Sequence, residues 1–304
     1  WNRWDFCVNY QDMDFSIRRV PEIIEDIEKA AEYHAGHPFI SCFLQDGDSF
    51  LMKTRDLLQV LEHIRRHFPT LERITSYGRA ATMVRKTPEE MREICDAGLN
   101  RLYCGMESGS DLILERIHKG TTAEDIIRAG HMAKAAGMEI SEFLIVGLGG
   151  RELWEENATK TSAVLNRIDP HFIRVRTIGV KVGSRLEQTM GRGEYVLQGE
   201  EELIREQRLL LDGLEGVTGY YSNDHAVNLL MEVEGQMMAD KPKMLAQLDR
   251  FLEMPEEERI QFAVGRRLNY YGRIDDMTDV ERNEMVQRQM KEIEARYPGQ
   301  TDNI

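Results

Sequence analysis

The sequence predicts an α/β protein: a parallel sheet curled into an open barrel, followed by a helical extension. Three observations carry this. Short apolar runs of strand length alternate with amphipathic stretches of helix length from Val20 to Thr177, the pattern of parallel strands joined by crossover helices. Five such strands are visible and a sixth is expected upstream of Trp1, with no sign of a return to the eight units of a closed barrel. After Gly183 the strand pattern gives way to helical, charged sequence. The expected architecture is a partial, open parallel (β/α)6 TIM-like barrel over 1–185 and a helical C-terminal region over 186–304.

Taken in order, Val20 to Tyr33 reads as a helix, with Pro21 in its first turn, Ile23, Ile24 and Ile27 as a stripe, and Gly36 beyond its end. Phe39 to Leu44 is a short buried strand. Thr54 to Phe68 is a helix with Leu57, Leu58, Leu61 and Ile64 inward, stopped by Pro69. Arg73 to Tyr77 is the next strand. Thr87 caps a helix whose first residue is Pro88, and Gly98 closes it. Arg101 to Met106 is a strand, and a helix follows to about Ile117. Thr122 caps a helix over Ala123 to Ala136, and Ile140 to Val146 is a strand. Glu152 to Arg167 is helical, and Phe172 to Thr177 is the fifth strand. In the extension, helices are expected over Glu200 to Leu214, Asp224 to Glu234, Lys243 to Phe251, Glu256 to Arg267 and Val280 to Arg296, with a frayed tail after Tyr297.

The chain has 304 residues, enough for one large α/β domain and an appendage. Its net charge of −14 speaks against non-specific nucleic-acid binding. No apolar run approaches the roughly 20 residues needed to span a bilayer, so no membrane is expected. Four cysteines without a pairing pattern fit a reducing cytoplasm, and most of the sixteen methionines read as core filler. The chain does not begin with Met and opens inside a motif, so it is expected to lack an N-terminal piece.

Ligands of parallel α/β sheets and barrels bind beyond the carboxyl ends of the strands. The residues there are Asp46-Gly47-Asp48, Ser76-Tyr77, Glu107-Ser108-Gly109, Gly147 to Gly150, and Arg174-Val175-Arg176. They combine small residues with polar groups, as a flat ligand lying across several strand ends requires. Asp46-Gly47-Asp48 also reads as a plain solvated turn, and Gly147 to Gly150 as a tight strand–helix turn. Asp224-His225 reads either as an acid–base or metal pair or as a helix start. Cys7 reads as a buried thiol or as a ligand; Cys42, Cys95 and Cys104 read as core.

Asp5-Phe6-Cys7 resembles the end of the Cys-x-x-x-Cys-x-x-Cys loop of radical S-adenosylmethionine (radical SAM) enzymes, with Cys7 as the third cysteine. Trp4 stands where the second should be, and the first would lie upstream of Trp1. Asp46-Gly47-Asp48 is similar to the Gly-Gly-Glu segment that binds the methionine amino group in that family. Glu107-Ser108 resembles its ribose-contacting strand end, and Phe143 to Gly147, with Val146 and Gly147 at its end, resembles its adenine-lining segment. Ser222 to His225 with Asn228, and Asp240-Lys241, resemble a C-terminal region of bacterial members of the family. The resemblance implies a [4Fe–4S] cluster on Cys7 and two further thiolates. It implies SAM held by Asp46, Gly47, Asp48, Ser76, Glu107, Ser108, Val146, Gly147 and Arg176, and a substrate handled by Asp224 and His225. The reduced cluster would cleave SAM to a 5′-deoxyadenosyl radical that takes a hydrogen atom from a small-molecule or peptide substrate, with ferredoxin or flavodoxin as reductant.

Two other readings stand beside it. Trp4 cannot ligate iron, which favours a cluster-less relative that binds SAM or a partner without radical chemistry. A metal-free barrel lyase or aldolase would need a Schiff-base lysine on a strand end, and no barrel strand carries a suitable one.

Overall fold

The computed structural model of the chain describes residues 4–9, 14–45 and 47–297. Its strands are β1 (Ser41–Leu44), β2 (Arg73–Gly78), β3 (Leu99–Glu107), β4 (Glu139–Val146), β5 (Phe172–Thr177), β6 (Tyr220–Ser222) and β7 (Gly235–Gln236). Its helices are α1 (Val20–Tyr33), α2 (Thr54–His67), α3 (Ala80–Met83), α4 (Pro88–Asp96), α5 (Asp111–Arg116), α6 (Ala123–Ala135) and α7 (Gly150–Ile168). They continue with α8 (Arg185–Gly191), α9 (Glu200–Asp212), α10 (Met237–Glu253), α11 (Glu256–Arg267) and α12 (Val280–Arg296).

The strands form one sheet in the order β1-β2-β3-β4-β5-β6-β7. β1 to β6 are parallel, and β7 runs antiparallel to β6. Each parallel strand lies beside its predecessor, so every crossover steps the same way. The right-handed rule then places the helices on one face and curls the sheet. β1 and β7 do not pair with each other, and the barrel is open.

Burial separates the two faces. Ile74, Leu102, Ile140, Leu144, Ile173 and Val175 are buried on the helix side. The inner face carries Phe43, Tyr103, Phe143, Arg174 and Arg176, all half-buried, and Tyr77, exposed.

The local signals read in the sequence explain most elements. Thr87 accepts from the Glu90 amide while the Glu90 carboxylate accepts from the Thr87 amide, a reciprocal cap on α4. Thr122 and Asp125 cap α6 in the same way.

Two expectations are corrected. The helix expected over Asp224 to Glu234 does not form; that stretch is a chain of turns. Its backbone is held by tertiary partners instead. Asn223 donates to the Leu230 carbonyl at 2.5 Å, Arg266 to that of Leu229 at 3.2 Å and Arg267 to that of Val227 at 2.9 Å. Asn228 donates to the Val175 carbonyl at 3.0 Å, which ties the segment to β5. Second, the region expected to be helical contributes a parallel strand, β6, whose Tyr221 is fully buried. The region 186–304 therefore adds two strands to the sheet begun in 1–185. No described helix is long and apolar enough to cross a membrane.

Candidate functional site

β3 ends in a register shift between Gly105 and Glu107, and Glu107 sits in the left-handed region at φ 62°. Such a conformation in a non-glycine residue is costly and is kept where the surroundings dictate it. Here it folds the side chain back over Gly105, where an added Cβ would lie 2.2 Å from the Glu107 carboxylate. Lys119 donates to Glu107 Oε1 at 2.8 Å, and both side chains are buried. The Lys119 ammonium in turn lies 4.1 Å from the centre of the Trp4 ring, and the Arg79 guanidinium lies 5.7 Å from it.

The opening stretch is docked on these strand ends. The Asp5 amide donates to the Ile117 carbonyl at 3.2 Å, and the Asp5 carbonyl accepts from the Leu186 amide at 2.8 Å. The Asp5 carboxylate meets His118 at 2.9 Å. Trp4 and Phe6 stack with centroids 6.0 Å apart, and Cys7 follows, half-buried.

These residues do not fit a cluster held by three thiolates. Cys7 is one, and the second position presents an indole packed on Lys119. Cys104 is buried on β3 and donates to the Met83 sulfur. Among the described residues, no group of three or more His, Cys, Asp or Glu side chains is arranged to hold a metal ion.

The other expected site residues divide. Asp46 lies outside the described residues, and Gly47 adopts φ 66° with open space around it. Asp48 Oδ2 accepts from Thr82 at 2.8 Å while Oδ1 is buried without a donor. Burial pushes its pKa up to about 6, against the Thr82 bond and the charges of Arg79 and Lys86. Ser76 is fully buried and donates to the Tyr77 carbonyl at 2.9 Å. Ser108 is also buried: its hydroxyl donates to Asn157 Oδ1 at 2.6 Å and accepts from the Ser110 amide. Both serine hydroxyls are thus engaged within the fold.

Val146 is buried, and its carbonyl accepts from the Ile178 amide at 2.9 Å. Gly147, at φ 88°, donates to Glu206 Oε1 at 3.1 Å and accepts from the Tyr195 hydroxyl at 2.6 Å. A Cβ there would lie 2.5 Å from Ile178 and 2.6 Å from Leu203.

Arg176 and Asp224 do come together. Asp224 bridges Arg174 and Arg176, each at 3.3 Å. Burial raises the Asp224 pKa, but the Ser222 hydrogen bond and the two guanidinium groups outweigh it and hold the carboxyl below its ordinary value. Asp224 therefore faces the arginines. His225 lies on the same turn, and its Nδ1 is buried without a partner. Burial first, and Arg176 second, push its pKa below the ordinary histidine value.

Four functional candidates were missed in the sequence: Lys119, Arg174 as an inner-face residue, Glu142 and Glu206. Glu142 is 2% exposed on β4. Burial, reinforced by Glu107, pushes its pKa up to about 8. Glu206 is buried under Gly147 and Asn157, with its pKa pushed up to about 7 by burial. Its signal was available: with Leu203 and Leu210 it lies on one helical stripe, a carboxylate on an apolar face.

The radical SAM superfamily model matches residues 5–160. The tRNA uridine(34) acetyltransferase of Methanocaldococcus jannaschii is 28% identical over 118 residues, 38% of this chain and 22% of that protein. An uncharacterised protein of the same organism, MJ0486, is 28% identical over 116 residues, 38% of this chain and 34% of that one. The match thus spans between about a fifth and a third of these relatives' length. Among solved structures, methylornithine synthase PylB gives a TM-score of 0.48 at 17% identity, covering 70% of this chain and 64% of that chain. Elp3 of Methanocaldococcus infernus, with an N-terminal deletion, gives 0.48 at 17% identity, covering 68% and 53%. With the family match covering half of the chain, and with an open parallel α/β barrel around it, this protein belongs to the radical SAM superfamily.

Proposed function

We propose that the chain binds S-adenosylmethionine across the carboxyl ends of its strands and that, in this chain, the loop at Cys7 does not hold a [4Fe–4S] cluster. The observation that carries the first part is Glu107, fixed by a left-handed backbone and by Lys119 at the mouth of β3. Lys119 occupies Oε1; the second oxygen is the acceptor proposed for ribose hydroxyls. Asp48, just beyond the end of β1, is the proposed partner of the methionine amino group. The second part rests on Trp4, because an indole offers iron no thiolate.

When bound, the cluster supplies the electron that cleaves SAM in this family. A radical enzyme served by a ferredoxin-like or flavodoxin-like reductant is the second reading, favoured by the family match. The net charge of −14 supports a small-molecule or peptide substrate over the tRNA in the relatives' name.

Calorimetric titration with SAM, together with iron and sulfide analysis after anaerobic reconstitution, tests both parts. SAM binding without stoichiometric iron is expected. Absence of SAM binding overturns the first part, and near-stoichiometric iron overturns the second.

A further inference from the structure

The inner face of the sheet carries a continuous run of rings. Phe43 lies edge-on to Tyr77 at 4.8 Å and tilted to Tyr103 at 5.5 Å, and Tyr103 stacks on Phe143 at 6.0 Å. Helices cover the opposite face, so this run borders the open side, where Tyr77 is 39% exposed. At its far end the Arg174 guanidinium lies 5.5 Å from the Tyr103 ring centre, and that of Arg176 lies 5.0 Å from Phe143.

The charges there do not cancel. Two guanidinium groups face one carboxylate, Asp224, at 3.3 Å from each. Arg101, further down the same face, is already paired with Glu139 at 2.6 Å. Arg174 Nε is buried and has no acceptor. Two guanidinium groups balanced by a single carboxylate favour an incoming anion. Asp224 itself shows that a carboxylate fits between the two arginines.

We propose that this face binds a planar aromatic or heteroaromatic ring bearing one carboxylate. The ring lies against Tyr77 and Tyr103, and the carboxylate meets Arg174 and Arg176 beside Asp224. One net positive charge matches a monoanion, and a wall of ring faces and edges selects a planar aromatic ring over a puckered one. The ligand's role as substrate rests on the strand ends being the SAM crevice; its binding does not, and is measured without SAM.

The probes are phenylacetate, phenylacetamide, cyclohexylacetate and inorganic phosphate, followed by saturation-transfer NMR on the full chain. Phenylacetate is expected to bind, with phenylacetamide and cyclohexylacetate weaker by about tenfold or more, and phosphate a poor competitor. Arg174→Gln is expected to weaken phenylacetate about tenfold while leaving SAM affinity and the melting temperature in place. Equal binding of phenylacetamide, equal binding of cyclohexylacetate, displacement by millimolar phosphate, or full affinity in Arg174→Gln would each overturn the proposal. The wild-type ligand series decides it even where a variant misfolds. Loss of SAM binding alongside intact phenylacetate binding would sink the cofactor reading and leave this one standing.

Discussion

Glu107 and Lys119 form a buried ion pair whose partners are 12 positions apart in the chain. Breaking such a pair from one side leaves a lone charge away from water, at a cost of about 3–5 kcal/mol. Glu107→Ala and Lys119→Met are each expected to lower the unfolding free energy by about 3–5 kcal/mol, and the double variant by much less than their sum. Denaturant titration of the four proteins checks this, and additive losses would show that the pair is not coupled. Glu107→Ala is also expected to weaken SAM binding, so its calorimetry has to be read at a temperature where the variant remains folded. Trp4 adds a second, smaller contact on the same ammonium. Trp4→Ala is expected to lower stability by roughly 0.5–2 kcal/mol, read from the shift in melting temperature.

The junction of β4, α7 and α9 is built on hydrogen bonds that converge on two side chains. Asn157 of α7 accepts from Ser108 and donates to the Ile145 carbonyl at 3.0 Å and to Glu206 at 2.7 Å. Glu206 of α9 also receives the Gly147 amide. Its pKa near 7 lies above the ordinary carboxylate value, so the folded state binds this proton more tightly than the unfolded chain does. The resulting stability is fully present below about pH 4.5 and is lost as pH rises through about 7; Glu142 adds the same sign up to about 8. Glu206→Gln keeps an acceptor for both N–H groups and removes the titration. Its melting temperature is expected to fall less than that of the wild type between pH 6 and 8, by thermal scans across that range; parallel curves would exclude Glu206 as the titrating group. The helices that the sequence announced are those with local signals, such as the caps at Thr87 and Thr122. The false helix over Asp224 to Glu234 shows the limit, because its carbonyls go to Asn223, Arg266 and Arg267, partners that no local pattern reveals. β6 is three residues long and is a strand because β5 and β7 lie beside it. Glu107 was legible because an apolar strand ends there. Lys119 and Glu142 were not, because their chemistry comes from burial beside residues remote in sequence.

At the scale of the molecule, the division near residue 185 is one of sequence pattern, while the packing runs across it. β5 pairs with β6 through Phe172 to Arg174, and Tyr221 of β6 is fully buried. Arg174 and Arg176 find their carboxylate at Asp224, and Gly147 finds its two polar partners at Tyr195 and Glu206. Asn166 at the end of α7 donates to the Gly213 carbonyl at 2.8 Å and accepts from the Glu215 amide at the same distance. Cutting after residue 185 would expose the β5 edge, and an unpaired edge strand is a template for aggregation. It would also strip buried polar groups of α7 of their partners at about 1–3 kcal/mol each, a loss comparable with the whole stability of a domain. Residues 1–185 alone are therefore expected to aggregate or to unfold without a cooperative transition. The full chain is expected to melt in one transition, with calorimetric and van't Hoff enthalpies in agreement. Size-exclusion chromatography and scanning calorimetry on both chains check this. A monodisperse 1–185 with its own sharp melt would show that the five-stranded part folds alone, and that β6 and its arginine-facing turn are an addition to a finished barrel.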